Sequence, residues 1–247
     1  MASSGDNLLS GKTVLITGAS QGVGEVLCCC LARHGAKKLI MVAEDMQGIK
    51  QTQEKCKSEG DCSCECCQCD MSDPMAVQKL ADMVAGMNVD IAIFNAGIFV
   101  GGEDDPVKGN PDEFDRMMMV NATAPMRLIR ALTPKMVDKG EGMLICIGDV
   151  EAVHSGPKHA AYSASKYALR GFCKSAYEAL RPHNVRVMHI AAGNVGQTAM
   201  AEKTGKQGQQ GAIDPHDVAE AVLLPFCCSS NCVPEEIVLK AVRPGTA

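Results

Sequence analysis

The sequence predicts an α/β fold with a doubly wound parallel sheet of about seven strands flanked by helices. Short apolar runs alternate with helical patterns through most of the 247 residues, an order typical of consecutive βαβ units. The length suits one domain with a sizeable core, and we see no internal repeat or interdomain linker. We therefore predict a single domain over residues 1–247, with residues 1–11 as a flexible N-terminus.

The strands and helices are predicted from these runs in chain order. The apolar runs that predict strands are Thr13–Thr17, Lys38–Val42, Cys62–Cys69, Asp90–Phe94, Met143–Ile147, Val185–Ala191 and Glu236–Val242. The stretches that predict helices are Val23–His34, Gln47–Ser58, Pro74–Ala85, Asp112–Val137, Ala160–Leu180 and Pro215–Leu224. Ser72 and Asp73 are capping candidates before Pro74, which suits the first turn of a helix. The segment Glu202–Gly211, rich in Gly, Gln and Lys, predicts a surface loop.

Composition and charge exclude several classes of partner. A formal charge of −5 and a pI near 5.7 give no electrostatic reason to expect nucleic acid or an anionic membrane. No apolar run approaches the roughly 20 residues that span a bilayer. The start, Met1–Asp6, lacks the basic and apolar regions of a secretory signal. We expect a cytoplasmic protein.

Fourteen cysteines, nine of them between Cys28 and Cys69, raise the question of a soft-metal site. In a strand, same-face neighbours such as Cys62 and Cys64 lie ~6.6 Å apart, whereas zinc–thiolate bonds are ~2.3 Å. Cys62, Cys64 and Cys66 face one way and Cys67 and Cys69 the other. This geometry favours reduced cysteines acting as small hydrophobes, and we predict no metal. A metal-storing or thiol-buffering surface is a weaker alternative.

A glycine-rich turn joins the first strand to the first helix. Thr17 is followed by Gly18-Ala19-Ser20-Gln21-Gly22-Val23-Gly24. Such a turn lets backbone N–H groups approach a pyrophosphate, and the helix N-terminus adds partial positive charge. An ordinary tight turn that needs glycine for its dihedral angles is the structural alternative.

Tyr162 and Lys166 lie one helical turn apart in an Ala/Ser-rich segment. Residues at i and i+4 share a helix face, so the phenol and the ammonium point into the same space. A nearby cation favours the tyrosinate, so we expect Lys166 to lower the pKa of Tyr162 toward a range useful for proton transfer.

Together these motifs resemble the short-chain dehydrogenase/reductase family over nearly the whole chain, from about Lys12 to about Val242. The likeness rests on the glycine turn, Asn95-Ala96-Gly97, Asn121 and Tyr162-x-x-x-Lys166, in the family's order and spacing. The resemblance implies a Rossmann-type fold and hydride transfer between NAD or NADP and a small-molecule carbonyl or alcohol. It also implies a homodimer, formed through the long helices at Asp112–Val137 and Ala160–Leu180.

The resemblance assigns expected roles to individual residues. Asp70 would lie beside the adenine, and Val195 and Thr198 would hold the nicotinamide carboxamide. The implied cofactor-binding set is Gly18, Ser20, Gln21, Gly22, Val23, Gly24, Glu44, Asp70, Met71, Asn95, Ala96, Gly97, Tyr162, Lys166, Val195 and Thr198. Glu44 and Asp45, at the end of the second strand, would repel a 2′-phosphate, so we lean toward NAD. The alternative is that they begin a solvated loop.

The implied catalytic residues are Tyr162 as general acid/base, Lys166 on the ribose, and Asn121 ordering a water chain to Lys166. The family's serine, which bonds the substrate oxygen, lies 13 residues before the tyrosine, and here that position is Asp149. An ionised Asp149 would oppose charge on Tyr162, whereas a protonated Asp149 would donate to the carbonyl. It would otherwise bind a basic group or activate a hydroxyl of the substrate.

Two functions follow from these residues. The first is an NAD(P)-dependent oxidoreductase in which Asp149 joins Tyr162, Lys166 and Asn121 in catalysis. The alternative is a catalytically impaired dinucleotide-binding protein, a sensor or interaction partner disabled at Asp149. His154 and His159 lie in a loop expected to rim the pocket, as surface residues or as substrate contacts. The expected pocket walls are Ile98–Gly102, Val150–Lys158 and Val195–Gly211.

Overall fold

Seven parallel strands form one sheet in the computed structural model, which describes residues 7–100, 106–156, 159–196, 198 and 212–242. The strands are β1 (Thr13–Thr17), β2 (Lys38–Ala43), β3 (Ser63–Gln68), β4 (Ile91–Phe94), β5 (Gly142–Asp149), β6 (Val185–Ala192) and β7 (Glu236–Leu239). Their order across the sheet is β3-β2-β1-β4-β5-β6-β7, and every pairing is parallel. The predicted α/β fold is confirmed.

Helices cover both faces of this sheet. They are α1 (Gly22–Arg33), α2 (Met46–Glu59), α3 (Pro74–Ala85), α4 (Pro111–Met118), α5 (Ala124–Lys139), α6 (Ala160–Leu180) and α7 (Pro215–Cys227). The single helix predicted over Asp112–Val137 is instead α4 and α5 joined by a π-helical turn, Met119–Thr123. The predicted cap at Asp73 is present, since its side chain accepts from Met75 N at 2.8 Å.

Successive side chains of a strand point to opposite faces of the sheet, and each face packs into its own apolar core. Val14 and Ile16 of β1 pack into the core beneath α1, α2 and α7, whereas Leu15 packs into the core beneath α3, α5 and α6. In a doubly wound sheet the chain reverses its winding direction where neighbouring strands are not consecutive. Here that point lies between β1 and β4, which are hydrogen-bonded neighbours. Ligands of such sheets bind in the crevice outside the carboxyl ends of these strands.

The cysteine-rich strand divides its side chains as the sequence predicts. Cys62, Cys64 and Cys66 pack against the first core, and Cys67 and Cys69 against the second. Helices bring further thiols to the same face: Cys56 of α2 interacts with Cys29 and Cys64, and these contacts hold the pKa of Cys56 above its ordinary value. Sequence reasoning missed this contact between elements. Within the described ranges, no group of three or more His, Cys, Asp or Glu side chains is arranged to hold a metal ion.

The chain ends and one loop bear on the remaining predictions. Leu9 is fully buried and its N–H donates to His34 O at 3.0 Å, so the predicted flexible N-terminus does not extend to residue 11. The predicted surface loop Glu202–Gly211 lies outside the described residues. Among the helices that the structure describes, none is long and apolar enough to cross a bilayer.

Candidate active site

The glycine turn after β1 is shaped by backbone that only glycine accepts easily. Gly18 and Gly22 have φ angles of +70° and +59°, in the left-handed region that side chains disfavour. A Cβ at Gly24 would lie 1.9 Å from Gly18 O, so α1 packs directly on the turn. Asn95 Nδ2 donates to Thr17 O and Gly18 O at 3.1 and 3.2 Å. These bonds tie the turn to the end of β4.

The N-terminus of α1 is open toward the crevice. No side chain caps it at Gln21, which leaves first-turn N–H groups available to an external acceptor. Gln21, Gly22 and Val23 line the cleft beside this end of the helix. A cradle of backbone donors with no space for side chains fits a dinucleotide pyrophosphate.

The side chain of Tyr162, in α6, is buried beside Asp149, the last residue of β5. Its Oη donates to Asp149 Oδ2 at 2.8 Å, and Asp149 Oδ1 accepts from Glu151 N at 2.9 Å. The Tyr162 side chain is held edge-on by Phe99, with ring centroids 5.2 Å apart. Lys166 Nζ lies 5.4 Å from the phenol centroid, so the predicted Tyr–Lys juxtaposition is present.

The pKa of Tyr162 is raised, whereas the sequence analysis expects it to be lowered. Burial, and after it the charge and the hydrogen bond of Asp149, raise the pKa of Tyr162 well above its ordinary value. Burial also lowers the pKa of Lys166, although Asp149 works against that effect. The pKa of Tyr162 therefore shifts upward, and the expectation that Lys166 lowers it is wrong. In this environment Tyr162 is a neutral phenol.

Asn121 lies in the π-helical turn and connects two parts of the site. Its Oδ1 accepts from Ile98 N at 2.8 Å, while its Nδ2 donates to Ile98 O at 2.9 Å and to Ser165 Oγ at 3.0 Å. Lys166 Nζ approaches the same loop closely, because a Cβ at Gly97 would lie 3.1 Å from it. Asn121 thus fixes the loop after β4 against α6.

Most of the predicted site residues line a cleft of about 280 Å³. The predicted residues that line it are Gly18, Ser20, Gln21, Gly22, Val23, Asn95, Ala96, Gly97, Asp149, Tyr162, Lys166, Val195 and Thr198. The predicted residues that do not line it are Gly24, Glu44, Asp70, Met71 and Asn121. Glu44 is exposed, and Asp70 Oδ1 accepts from both Ser72 N and Ser72 Oγ at 2.7 Å.

Asn194 and Val218 also line the cleft, and no sequence motif had singled them out. Phe99 and Glu151 line it as well; they fall within the expected walls, but no motif assigned either residue a role of its own. Of the two histidines expected at the rim, His159 lines the cleft and His154 is exposed outside it. Parts of the expected walls (residues 101–102, 157–158, 197 and 199–211) lie outside the described residues.

A Rossmann-type sheet, a glycine turn open to a pyrophosphate and a buried Tyr–Lys pair together define a nicotinamide-dependent oxidoreductase. The comparison with family models agrees: residues 12–209 match the model described as "short chain dehydrogenase". The chain belongs to this family of enzymes, and the resemblance noted in its motifs is confirmed.

Similar proteins include dehydrogenases and reductases. The mitochondrial (-)-isopiperitenol/(-)-carveol dehydrogenase of Mentha piperita is 31% identical over 186 residues, 74% of this chain and 69% of that one. An NADP-dependent 3-hydroxy acid dehydrogenase of Schizosaccharomyces pombe is 26% identical over 97% and 96% of the two chains. A metagenomic short-chain oxidoreductase in complex with NADP superposes with a TM-score of 0.80 at 29% identity, covering 96% of this chain and 100% of that chain.

Proposed function

We propose that this chain interconverts an alcohol and a carbonyl with Tyr162 as the proton-transferring residue and Asp149 as its proton partner. The observation that carries the proposal is the 2.8 Å hydrogen bond from Tyr162 Oη to Asp149 Oδ2 inside the cleft. When bound, the nicotinamide supplies or accepts the hydride. Lys166, next to the loop at Gly97, is placed to bind the ribose hydroxyls.

The raised pKa of Tyr162 decides how the proton moves. A tyrosinate beside the Asp149 carboxylate is unfavourable, so Tyr162 acts as a relay that donates and accepts at the same time. In alcohol oxidation the substrate hydroxyl gives its proton to Tyr162 Oη while Tyr162 gives its own to Asp149 Oδ2. In carbonyl reduction both protons move in the opposite direction, so the atoms balance without a free tyrosinate.

Asn121 positions this machinery. Two of its hydrogen bonds go to Ile98 in the loop after β4 and one goes to Ser165 of α6, so Asn121 holds this loop against α6. The water chain to Lys166 that the resemblance implies would begin at the same side chain, and its presence stays a prediction.

The test of the function is turnover. NADH and NADPH oxidation with aldehydes and ketones, and NAD and NADP reduction with the corresponding alcohols, are measured for the natural protein and for Asp149→Ser. The proposal predicts turnover by the natural protein. The alternative, a dinucleotide-binding protein disabled by Asp149, predicts turnover only by the serine variant. The dehydrogenases and reductases among its relatives favour the first outcome.

NAD is the proposed cofactor, because Glu44 follows β2 directly and is exposed. Asp45 is already engaged as the cap of α2, accepting from Gln47 N at 2.9 Å, so Glu44 is the carboxylate left to meet the ribose. The complexes named among similar structures include NADP, and the ratio of kcat/KM for NADH and NADPH decides between the two.

Assembly as a homodimer through α4–α5 and α6 is part of the proposal. Tyr167 of α6, which is 42% exposed, is one aromatic side chain that such an interface would cover. Light scattering coupled to size-exclusion chromatography tests it, with a molar mass near twice 26.1 kDa as the expected result. The cytoplasmic location stays a prediction.

A further inference from the structure

Glu151 carries a hydrogen-bonding arrangement at the cleft that the proposed mechanism does not use. One carboxylate oxygen accepts from His159 Nδ1 at 2.9 Å. The other accepts from Gly156 N and Ser163 Oγ, each at 2.9 Å. Burial alone would raise the pKa of Glu151, but these three donors prevail and hold it below the ordinary value. Glu151 is therefore an anion whose bonds fix the position of His159.

This arrangement determines the tautomer of His159. An ionised carboxylate only accepts, so the bond to Glu151 requires the proton on His159 Nδ1, and the singly protonated ring carries its lone pair on Nε2. A carboxylate behind a histidine fixes the ring orientation in the same way as in metal sites. Among the residues the structure describes, none hydrogen-bonds Nε2.

The ring is held where it meets the substrate cleft. Phe99 contacts it edge-on, with centroids 5.1 Å apart, and the Tyr162 centroid lies 6.4 Å away. The His159 side chain is 25% exposed, and together with Asp149 and Tyr162 it lines the cleft. The two ring centroids are close enough for one small substrate to contact both Tyr162 and His159.

We propose that His159 is a specificity-determining residue whose Nε2 accepts a hydrogen bond from a second hydroxyl group of the substrate. The inference rests on the proposed function and deepens it by naming a substrate class, a neutral hydroxy-ketone and its diol. Among the lining residues that the structure describes, this part of the cleft has two carboxylates, Asp149 and Glu151, and one cation, Lys166. A substrate carboxylate would be repelled there, so the class excludes hydroxy acids.

His154 offers a matched control in the same loop. It is exposed and does not line the cleft, and its backbone N–H donates to Val150 O at 2.9 Å, a bond that substitution keeps. His159→Phe retains an aromatic ring against Phe99 and removes both ring nitrogens, and with Nδ1 the hydrogen bond to Glu151. His154→Phe makes the same chemical change away from the cleft.

The kinetic test compares 3-hydroxybutan-2-one with butan-2-one, which lacks the hydroxyl. The inference predicts that kcat/KM of the natural protein favours the hydroxy-ketone by roughly tenfold, the size of one hydrogen bond. His159→Phe removes this preference through KM, whereas His154→Phe keeps the preference. An equal loss on both ketones, or no change on either, would overturn the inference.

A binding measurement separates this inference from the proposed function. The chain has six histidines, so the ring ¹⁵N resonances are few and the His159 signal is assigned by its loss in His159→Phe. The inference predicts that 3-hydroxybutan-2-one, but not butan-2-one, shifts the Nε2 resonance of His159 in the NADH-containing protein. Such a shift without turnover would support the inference and refute the proposed function. An unchanged resonance, or equal shifts with both ketones, would refute the inference.

Discussion

Replacing Asp149 by Asn tests whether this carboxylate takes part in proton transfer or blocks it. Tyr162 Oη and Asp149 Oδ2 are 2.8 Å apart. Two unit charges at that distance repel by about 6 kcal/mol at an effective dielectric constant of about 20. A tyrosinate is thus suppressed while Asp149 is ionised, and the relay through Asp149 replaces it. Asp149→Asn keeps the shape and removes both the charge and the proton acceptor.

The variant must then use Tyr162 itself as the base for alcohol oxidation. Burial is the largest cause of the raised Tyr162 pKa, and it remains when the charge of Asp149 is removed. Only a small fraction of the molecules therefore carries a tyrosinate at pH 7. Oxidation at pH 7 should fall by about a hundredfold or more and recover by about tenfold per pH unit as the pH rises, because the tyrosinate is then the general base. The natural protein keeps a flat rate across neutral pH.

The assay is the pH profile of kcat/KM for alcohol oxidation, followed by absorbance of the reduced cofactor. Asp149→Ser, which restores the family's residue, serves as the second variant, and its profile should parallel that of Asp149→Asn. Oxidation at pH 7 that equals or exceeds the natural protein in either variant would refute the relay and show that the carboxylate disables the site.

Three further predictions concern the cofactor site and stability. Gly24→Ala places a Cβ 1.9 Å from Gly18 O, so dinucleotide affinity measured by calorimetry should fall at least about tenfold. A Cβ at Gly171 would meet no atom within 4 Å, so Gly171→Ala should leave the affinity unchanged; equal affinities in both variants would show that the glycine turn does not bind the dinucleotide. Glu44→Arg should shift kcat/KM toward NADPH over NADH by about tenfold or more, and an unchanged ratio would remove Glu44 from cofactor selection. Burial lowers the pKa of His189 to about 4, so its stabilising contribution is full above about pH 6.5 and is lost as the pH falls toward 4. The free energy of urea unfolding should drop by about 2 kcal/mol more between about pH 7 and about pH 5 in the natural protein than in His189→Gln, and equal drops would contradict this.

The fold was predictable because its signals are local. Apolar runs such as that over Thr13–Thr17 and the start signal at Asp73 depend on near neighbours in the chain, and both appear where the sequence predicts them. The split of the predicted helix Asp112–Val137 was not predictable in the same way. The π-helical turn at Met119–Thr123 places Asn121 against Ile98 and Ser165, and contacts over such sequence separations leave no periodic signal.

The candidate site divides along the same line. The glycine turn and the Tyr162–Lys166 spacing are short motifs that can be recognised in the sequence, and residues of both line the cleft. The direction in which the pKa of Tyr162 shifts depends on how deeply the phenol is buried and on its distance from Asp149. Neither can be read from the spacing of residues in the sequence. The hydrogen bonds that Glu151 accepts from His159 and Ser163 likewise arise because the loop after β5 folds back onto α6.

Tyr162→Phe removes the hydroxyl group that is proposed to transfer the proton. Nicotinamide-dependent turnover of aldehydes, ketones and alcohols is compared between this variant and the natural protein, with dinucleotide affinity and the thermal unfolding midpoint measured on the same samples. If Tyr162 transfers the proton, kcat/KM falls by about a thousandfold, while the dinucleotide affinity and the unfolding midpoint stay close to those of the natural protein. A folded Tyr162→Phe variant that retains most of the natural turnover would show that Tyr162 does not transfer the proton.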